Sequence, residues 1–147
     1  MSITSMTKQE REAFLADVHV GIISIGHTGR APLTVPIWYS YEPGGLVTII
    51  TGRDSRKAAL IEKQMEFSLC VQTETGLYKY VSVEGPVTAI ERKVDPAERR
   101  AMAHRYLGQK TGDSYLANTA ERDDEDIVVR MRPRRWLTVD YAKEYRA

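Results

Sequence analysis

Short stretches with the alternation typical of β-strands dominate the chain. Apolar residues recur at every second position between turns rich in glycine and proline, which is the pattern of half-buried strands. The first three predicted strands are separated only by turn sequences and therefore form an antiparallel meander. The predicted strands are His19–Ile25, Leu33–Tyr41, Leu46–Gly52, a strand containing Phe67, Leu69 and Val71, Tyr78–Ile90, Ile127–Arg132 and Trp136–Tyr141.

Helical patterns occur in four places. Thr7 and Glu10 fit a capping box, so a short helix is predicted over residues 7–17. A second helix is predicted over Ser55–Gln64, because alanine, leucine and isoleucine cluster there. The pair Asp95-Pro96 opens a third helix that runs to about Gln109. A fourth is predicted over Ser114–Glu121, and the acidic residues 121–126 are expected to form a solvated loop.

Together these elements predict a mainly β (α+β) fold. About six strands, mostly joined as hairpins, with one helix between the third and fourth strands, imply a closed or split β-barrel with peripheral helices. Gly85-Pro86 within the longest strand predicts a bulge or barrel corner, because proline cannot donate to the ladder. The length of 147 residues predicts one domain spanning residues 1–147.

Composition and charge narrow the class of protein. With 42% hydrophobic and 28% charged residues, the chain has the composition of a globular protein. Its apolar stretches are too short to cross a membrane and no export signal is visible, so a cytoplasmic protein without membrane contact is expected. The net charge of +1 provides no overall field that would attract nucleic acid.

The segment Thr51–Lys57 is the most informative for function. It places Arg53, Arg56 and Lys57 at the start of a predicted helix, where the helix dipole and free amides favour negative charge instead. A bound phosphate would resolve this conflict, since arginine, lysine, serine and helix amides all bind phosphate. The alternative is that Asp54 caps the helix and the cations point into water, and the segment alone leaves both open.

Three further segments could contact a ligand. Pro36 in the middle of a strand marks an edge where backbone could face a planar ligand, although a barrel-edge proline without a ligand is equally compatible. One face of a strand carries Tyr78, Tyr80, Ser82 and Glu84. This face could contact an aromatic ligand, be exposed to solvent or form a dimer interface. The basic run Arg130–Arg135 could bind nucleic acid or an anionic tail, or it could be a solvated strand edge.

Common catalytic constellations are missing. The three histidines lack metal-ligand spacing, and no nucleophile elbow, dinucleotide-binding or P-loop glycine pattern is present. Cys70 has no cationic neighbour in sequence that would lower its pKa, so it is interpreted as a packed residue. The sequence thus predicts no catalytic side chain and no metal site. If the protein is an enzyme, a cofactor is expected to carry the chemistry.

Three motifs in this order carry a resemblance to a known family. Gly29–Trp38, Thr51–Ala58 and Tyr80–Gly85 together resemble the pyridoxamine 5′-phosphate oxidase-like split β-barrels, over about residues 10–141. Within that family the chain looks closest to the small flavin/deazaflavin oxidoreductases that use coenzyme F420. The resemblance implies a homodimer with two cofactor sites at the interface.

The resemblance also implies which residues hold the cofactor. Ser55, Arg56 and Lys57 would hold its phosphate, next to Thr51 and Gly52. The strand residues Thr34, Val35, Pro36 and Ile37 would run beside the tricyclic ring. Tyr80 matches a ring-contacting position, and Trp136 would come from the partner chain.

Two departures from the family pattern affect the expected activity. The chain lacks the C-terminal Arg-x-His element of the vitamin-synthesising oxidases, so pyridoxine phosphate oxidation is not expected. It has Thr34, Val35 and Pro36 where those oxidases place an arginine on the FMN phosphate, which favours a deazaflavin over FMN.

The expected function is an F420-dependent oxidoreductase that transfers a hydride to or from a small conjugated molecule such as a quinone, enone or tetrapyrrole. The alternatives are an FMN-dependent reductase of the same fold and a non-catalytic protein that binds a cofactor or haem. The haem hypothesis would require an axial histidine near the pocket, for which His19 and His27 are the candidates.

Overall fold

Eight strands and three α-helices form the part of the chain that the computed structural model describes, residues 2–145. Two short 3₁₀ helices, Ala120–Glu125 and Tyr141–Tyr145, complete it. The α-helices are α1 (Lys8–Ala16), α2 (Arg56–Gln64) and α3 (Pro96–Asn118). The strands are β1 (Gly21–Ile25), β2 (Leu33–Ile37), β3 (Tyr39–Ser40), β4 (Val47–Gly52), β5 (Glu66–Gln72), β6 (Lys79–Glu91), β7 (Asp126–Met131) and β8 (Arg135–Asp140).

The long strand β6 belongs to both halves of an antiparallel, curled sheet. Its first half pairs with β5 on one side and β8 on the other, and its second half pairs with β7. Sheet A therefore has the order β8-β6-β5-β1-β2, and sheet B has the order β6-β7-β4-β3. Since β2 and β3 are joined by a single residue, the chain also connects the far edges of the two sheets. The architecture is the split β-barrel that the sequence predicted.

The bend that takes β6 from one sheet to the other occurs at Gly85-Pro86, as predicted. A Cβ atom on Gly85 would lie 1.8 Å from the carbonyl oxygen of Arg132, so no other residue fits without moving the backbone. The ladder between β6 and β7 also shifts register between Val87 and Ala89. Glycine is therefore required where the two halves of the barrel meet.

Alternate strand residues fill the space between the sheets with a core of aliphatic side chains. Tyr39 is the largest fully buried side chain, and its hydroxyl donates a hydrogen bond to the carbonyl oxygen of Leu15, at 2.6 Å. Desolvation raises the pKa of Tyr39, so the phenol stays neutral in the folded state. This bond fixes the C-terminal end of α1 against the barrel. The capping box predicted for α1 is confirmed, since Thr7 and Glu10 bond each other's backbone N–H.

The predicted strand Leu33–Tyr41 is wrong as a single element. It consists of β2 and β3, which lie in different sheets and are separated at Trp38. The break has a local cause: the Trp38 ring stacks on Tyr106, with centroids 4.9 Å apart, and the N–H of Tyr39 donates to the Tyr106 hydroxyl at 3.0 Å. Side chains of α3 thus take the place of strand pairing. β2 pairs only with β1, so the prediction that Pro36 marks an edge is confirmed.

The two helices predicted after Asp95 are confirmed as the two helical parts of α3. It runs to Asn118 with a break at Gly108, where φ is 77° and ψ is 175°, a conformation accessible chiefly to glycine. The acidic residues 120–125 form an exposed 3₁₀ helix instead of an irregular loop, and Asp126 begins β7.

Candidate functional site

The N-terminus of α2 is capped by a serine that follows directly after β4. The Ser55 hydroxyl accepts a hydrogen bond from the N–H of Ala58 at 3.1 Å and donates to the carbonyl oxygen of Gly52 at 2.7 Å. Ser55 is therefore the cap, and the alternative in which Asp54 caps the helix is wrong. Because both functions of the hydroxyl are used within the chain, the expectation that this hydroxyl also holds a phosphate would require it to leave Gly52.

The first turn of α2 presents donors without acceptors. Among residues 2–145, the backbone N–H groups of Arg56 and Lys57 make no hydrogen bond, and neither side chain has an ion-pair partner. No acidic residue lies in this first turn. Two cations therefore stand at the helix end whose dipole repels them, with two free amides beside them. An anion is the ligand that this arrangement would stabilise.

A cavity of about 250 Å³ lies next to Lys57, between α3 and the outer face of sheet B. It brings together four of the residues that the sequence assigned to the cofactor: Ile37, Thr51, Gly52 and Lys57. The other residues that line it are Trp38, Ile50, Arg99, Met102, Ala103, Tyr115, Thr119, Arg122 and Asp126.

An aromatic wall closes one side of this cavity. Trp38 stacks on Tyr106 with an angle of 7° between the rings, and Tyr115 approaches Trp38 at a tilt, with centroids 5.5 Å apart. The Tyr106 hydroxyl donates to backbone carbonyl oxygens of His19 and Tyr39. These bonds hold the aromatic stack in place beside the cavity.

On the opposite wall, ion pairs within the described part of the chain neutralise Arg99 but not Arg122. Arg99 contacts Asp126 at 2.9 Å and Asp123 at 3.0 Å. The Arg122 side chain has no ion-pair partner within residues 2–145. Lys57 and Arg122 are thus the uncompensated charges lining the cavity, which favours an anionic ligand.

The predicted residues of β2 divide between the two sides of the strand. Thr34 and Pro36 lie on the exposed outer face of sheet A, whereas Val35 packs inward against the core. Ile37 is the β2 residue that reaches the cavity. Within residues 2–145, the backbone of β2 has no strand partner on the side away from β1, consistent with an edge that a ligand could approach.

Tyr80 and Trp136 do not line this cavity within one chain. Tyr80 lies on the outer face of sheet A, opposite Val139 of β8. Trp136 packs inside its own chain, below the guanidinium of Arg11 and edge-on to Tyr41. Their assignment to the cofactor stays a prediction that involves a second chain.

Several lining residues were not assigned by sequence reasoning. Met102, Tyr115, Thr119 and Arg122 come from α3 and the turn after it, about 45–65 residues from Lys57 along the chain. Their position follows from the packing of α3 on sheet B and the break at Gly108, and no local pattern in the sequence reports that packing.

The remaining chemically reactive groups lie elsewhere. Burial raises the pKa of the Cys70 thiol, which agrees with its interpretation as a packed residue. Neither His19 nor His27 lines the cavity. The Nε2 atom of His19 lies 3.1 Å from the carbonyl oxygen of Phe14, and the Nδ1 atom of His27 lies 3.1 Å from the carbonyl oxygen of Thr28. Within residues 2–145, no group of three or more possible metal ligands is assembled.

The first arginine of the basic run forms ion pairs within the chain. Arg130, which begins the basic run, is bound to Glu98 and Glu91, so this part of the run is neutralised. These carboxylates raise the pKa of Arg130. In the described part of the chain, no helix has the length and apolar character needed to span a membrane.

Comparison with known proteins identifies the family. The family model described as pyridoxamine 5′-phosphate oxidase matches residues 7–140, and the chain belongs to this family. The search of curated proteins gives no match.

Solved structures agree on the fold. A conserved hypothetical protein of Mycobacterium tuberculosis superposes with a TM-score of 0.78 at 20% identity, covering 100% of this chain and 92% of the other. A protein described as an F420 reductase gives 0.61 at 16% identity, covering 86% and 94%. A FAD and haem binding protein of Mycobacterium smegmatis gives 0.68 at 14% identity, covering 95% and 74%. At these identities the similarity establishes the split-barrel fold.

Proposed function

We propose that this protein is an oxidoreductase that uses the deazaflavin coenzyme F420 and transfers a hydride to or from a small conjugated organic molecule. The observation that carries the proposal is the pair of cations without partners, Arg56 and Lys57, beside two free amides at the start of α2. Membership of the family and the resemblance to an F420 reductase add support.

The donor set fits the phosphate-bearing part of such a cofactor. Two N–H groups, a guanidinium and an ammonium belong to the first turn of one helix, which is a combination that binds phosphate in many proteins. Lys57 also lines the cavity, whereas Arg56 is exposed outside it. The neighbouring cavity provides an aromatic surface, Trp38 and Tyr115, for a planar group. Arg56 and Lys57 would hold the phosphate, and the edge of β2 would lie along the ring.

The chain's own residues would act by binding and shielding. When bound, the cofactor supplies or accepts two electrons with one proton as a hydride, and the second proton of the reaction is exchanged with water. Lys57 and Arg56 would fix the cofactor, and the apolar side chains Ile50 and Met102, which line the cavity, would shield it from water. Because the cofactor would carry the hydride and the protein would only bind and shield it, no catalytic acid or base is required from the protein. This agrees with the lack of a catalytic constellation in the sequence.

The choice of F420 over a flavin rests on β2. Its exposed face offers Thr34 and Pro36, and no basic residue occurs within Leu33–Ile37. A second phosphate-binding cation on this strand, as in the vitamin-synthesising oxidases, is therefore lacking. An FMN- or FAD-dependent reductase is the competing function, since FAD-binding proteins share the fold.

We further propose that the active form is a homodimer formed through the outer face of sheet A. Along one row of this face, Pro36 of β2, Ile22 of β1 and Leu137 of β8 are exposed. Exposed apolar side chains on one sheet face favour association. Tyr80 lies on the same face, so dimerisation would bring it to the partner chain.

Equilibrium binding of F420 to charge-deleted variants tests the cofactor site. The double substitution Arg56→Ala with Lys57→Ala is expected to weaken F420 binding by about tenfold or more, since two charge-assisted contacts are lost. Lys63→Ala is the matched control, because it removes a cation from the last turn of the same helix. Equal affinity of the double variant and the native protein would refute the site.

A further inference from the structure

A second cavity lies at the other end of the barrel. Its volume is about 440 Å³, and it is formed by α1, the turn before β4 and the loop between β7 and β8. Leu46 borders this cavity and Gly52 borders the first one. These two residues are separated by the length of β4, about 20 Å at roughly 3.3 Å per residue. The two cavities are therefore separate.

The second cavity is strongly basic. Arg11, Arg132 and Arg134 line it, and none of their side chains has a hydrogen bond or ion pair with another group in residues 2–145. Lys8 also lines it, but pairs with Glu12 at 2.8 Å. Glu12 is the one carboxylate among the lining residues, and this ion pair already uses it. Three arginines thus line the cavity, and the lining residues include no free carboxylate to offset their charge.

Arg11 is held in a position that leaves it short of acceptors. Its guanidinium lies over the Trp136 ring, 4.6 Å from the centroid, and its Nε–H is buried without a hydrogen-bond partner. A buried donor that lacks an acceptor is costly, and contact with a ring replaces only part of the lost hydration. The buried Nε–H is not accessible to a ligand, but an anion on the Nη atoms would offset the charge of this guanidinium.

We propose that this cavity, the arginine pocket formed by Arg11, Arg132, Arg134 and Trp136, binds a small polyanion with two or more phosphate or carboxylate groups. Three guanidinium forks match the planar, bidentate geometry of these groups. The volume exceeds that of a single phosphate, which favours a ligand with more than one acidic group. Such a ligand would join α1 to the loop between β7 and β8.

The two tryptophans of the chain allow each cavity to be followed separately. Trp38 lines the first cavity and Trp136 lines the arginine pocket. In a Trp38→Phe background, intrinsic fluorescence therefore reports on the arginine pocket alone. Inorganic pyrophosphate and citrate are the probes, and sodium acetate at equal ionic strength is the reference. Titration calorimetry on the Arg56→Ala, Lys57→Ala variant, which lacks the proposed phosphate site at the start of α2, provides a second measurement that keeps both tryptophans.

We expect saturable binding of pyrophosphate or citrate, and the stronger of the two identifies the acidic group that the pocket prefers. The double substitution Arg132→Ala with Arg134→Ala should weaken this binding by about tenfold or more. Arg30→Ala with Arg100→Ala is the control that removes the same charge from exposed positions elsewhere. The control should bind as tightly as the native protein.

Lack of saturable binding of both probes at millimolar concentration would overturn the proposal. Equal weakening in the double variant and the control would also overturn it, because net charge alone would then explain the binding. Binding of F420 is expected to be unchanged in the Arg132/Arg134 variant, so failure of the cofactor proposal and failure of this one give different results.

Discussion

Arg99 of α3 and Asp126 of β7 form an ion pair with 2.9 Å between Nη1 and Oδ2, and both side chains are largely buried, at 10% and 18% exposure. The same guanidinium reaches Asp123 in the turn after α3. Through this one residue, α3 is tied to the sheet and to the turn that carries Arg122. The ion pair therefore determines the shape of the wall opposite Trp38.

Removing this ion pair is expected to destabilise the protein. Arg99→Ala leaves Asp126 buried without a partner, which costs about 2–4 kcal/mol of the free energy of unfolding. Arg92→Ala is the control, since its pair with Glu62 is exposed and should contribute less than about 1 kcal/mol. Urea denaturation measures both. If both variants lost equally little unfolding free energy, the Arg99 ion pair would not contribute to holding α3 in place.

Gly85 should tolerate no side chain. In Gly85→Ala the new methyl group would collide with the carbonyl oxygen of Arg132, 1.8 Å away, and β6 could not bend between the two sheets. The expected loss is about 3 kcal/mol or more, or failure to fold. Gly26→Ala provides the comparison, because a Cβ there meets its nearest neighbour at 3.8 Å. A thermal unfolding midpoint unchanged by Gly85→Ala would contradict the role of this glycine in the bend.

This bend illustrates what the sequence could predict. Gly85-Pro86 inside a long alternating stretch indicated a corner, and the capping box at Thr7 indicated the start of α1. Both are local signals, because backbone freedom and cap hydrogen bonds depend on neighbouring residues. The split of Leu33–Tyr41 at Trp38 was missed, because its cause is Tyr106, which is 68 residues away.

The same distinction applies to the candidate site. Lys57 was found from a charge pattern that conflicts with a helix dipole, which is visible in seven consecutive residues, whereas Gly52 was assigned through the resemblance to the family. Tyr115 and Met102 were not found, because they reach the cavity only after α3 packs on sheet B. Long-range packing of this kind leaves no local pattern.

The acid stability of the protein should depend on Glu10. Lys143 and the backbone N–H of Thr7 lower the pKa of Glu10 from 4.5 to about 2. Because the folded-state pKa is lowered, this contribution to stability is complete above the ordinary pKa and is lost as the pH falls towards 2. Glu10→Gln keeps an acceptor for Thr7 but removes the charge that pairs with Lys143.

The measurement for Glu10 is urea denaturation of the native protein and Glu10→Gln at several pH values. The difference in unfolding free energy between the two proteins should be largest near neutral pH and should vanish near pH 2. It should stay below about 1 kcal/mol, because the pair with Lys143 is partly exposed. A difference that does not change with pH would show that the charge of Glu10 contributes nothing.

The proposed dimer makes a prediction about Leu137, which is 63% exposed on the outer face of sheet A. Light scattering should give twice the 16.7 kDa chain mass for the native protein. Leu137→Asp should give the single mass, because a carboxylate would be buried at the seam. Leu77→Asp is the matched control, since Leu77 is exposed in the loop between β5 and β6 and lies outside this face. A monomeric native protein would exclude a site built from two chains.

The most direct test of the proposed function is a parallel equilibrium titration of the cofactor-free protein with F420, FMN and FAD, followed by tryptophan and cofactor fluorescence. We predict saturable F420 binding, with FMN and FAD bound at least about tenfold more weakly. Tighter binding of FMN or FAD would contradict the account and assign the protein to the flavin-dependent branch. Binding of none of the three would contradict it entirely, because the cations at the start of α2 would then have another ligand.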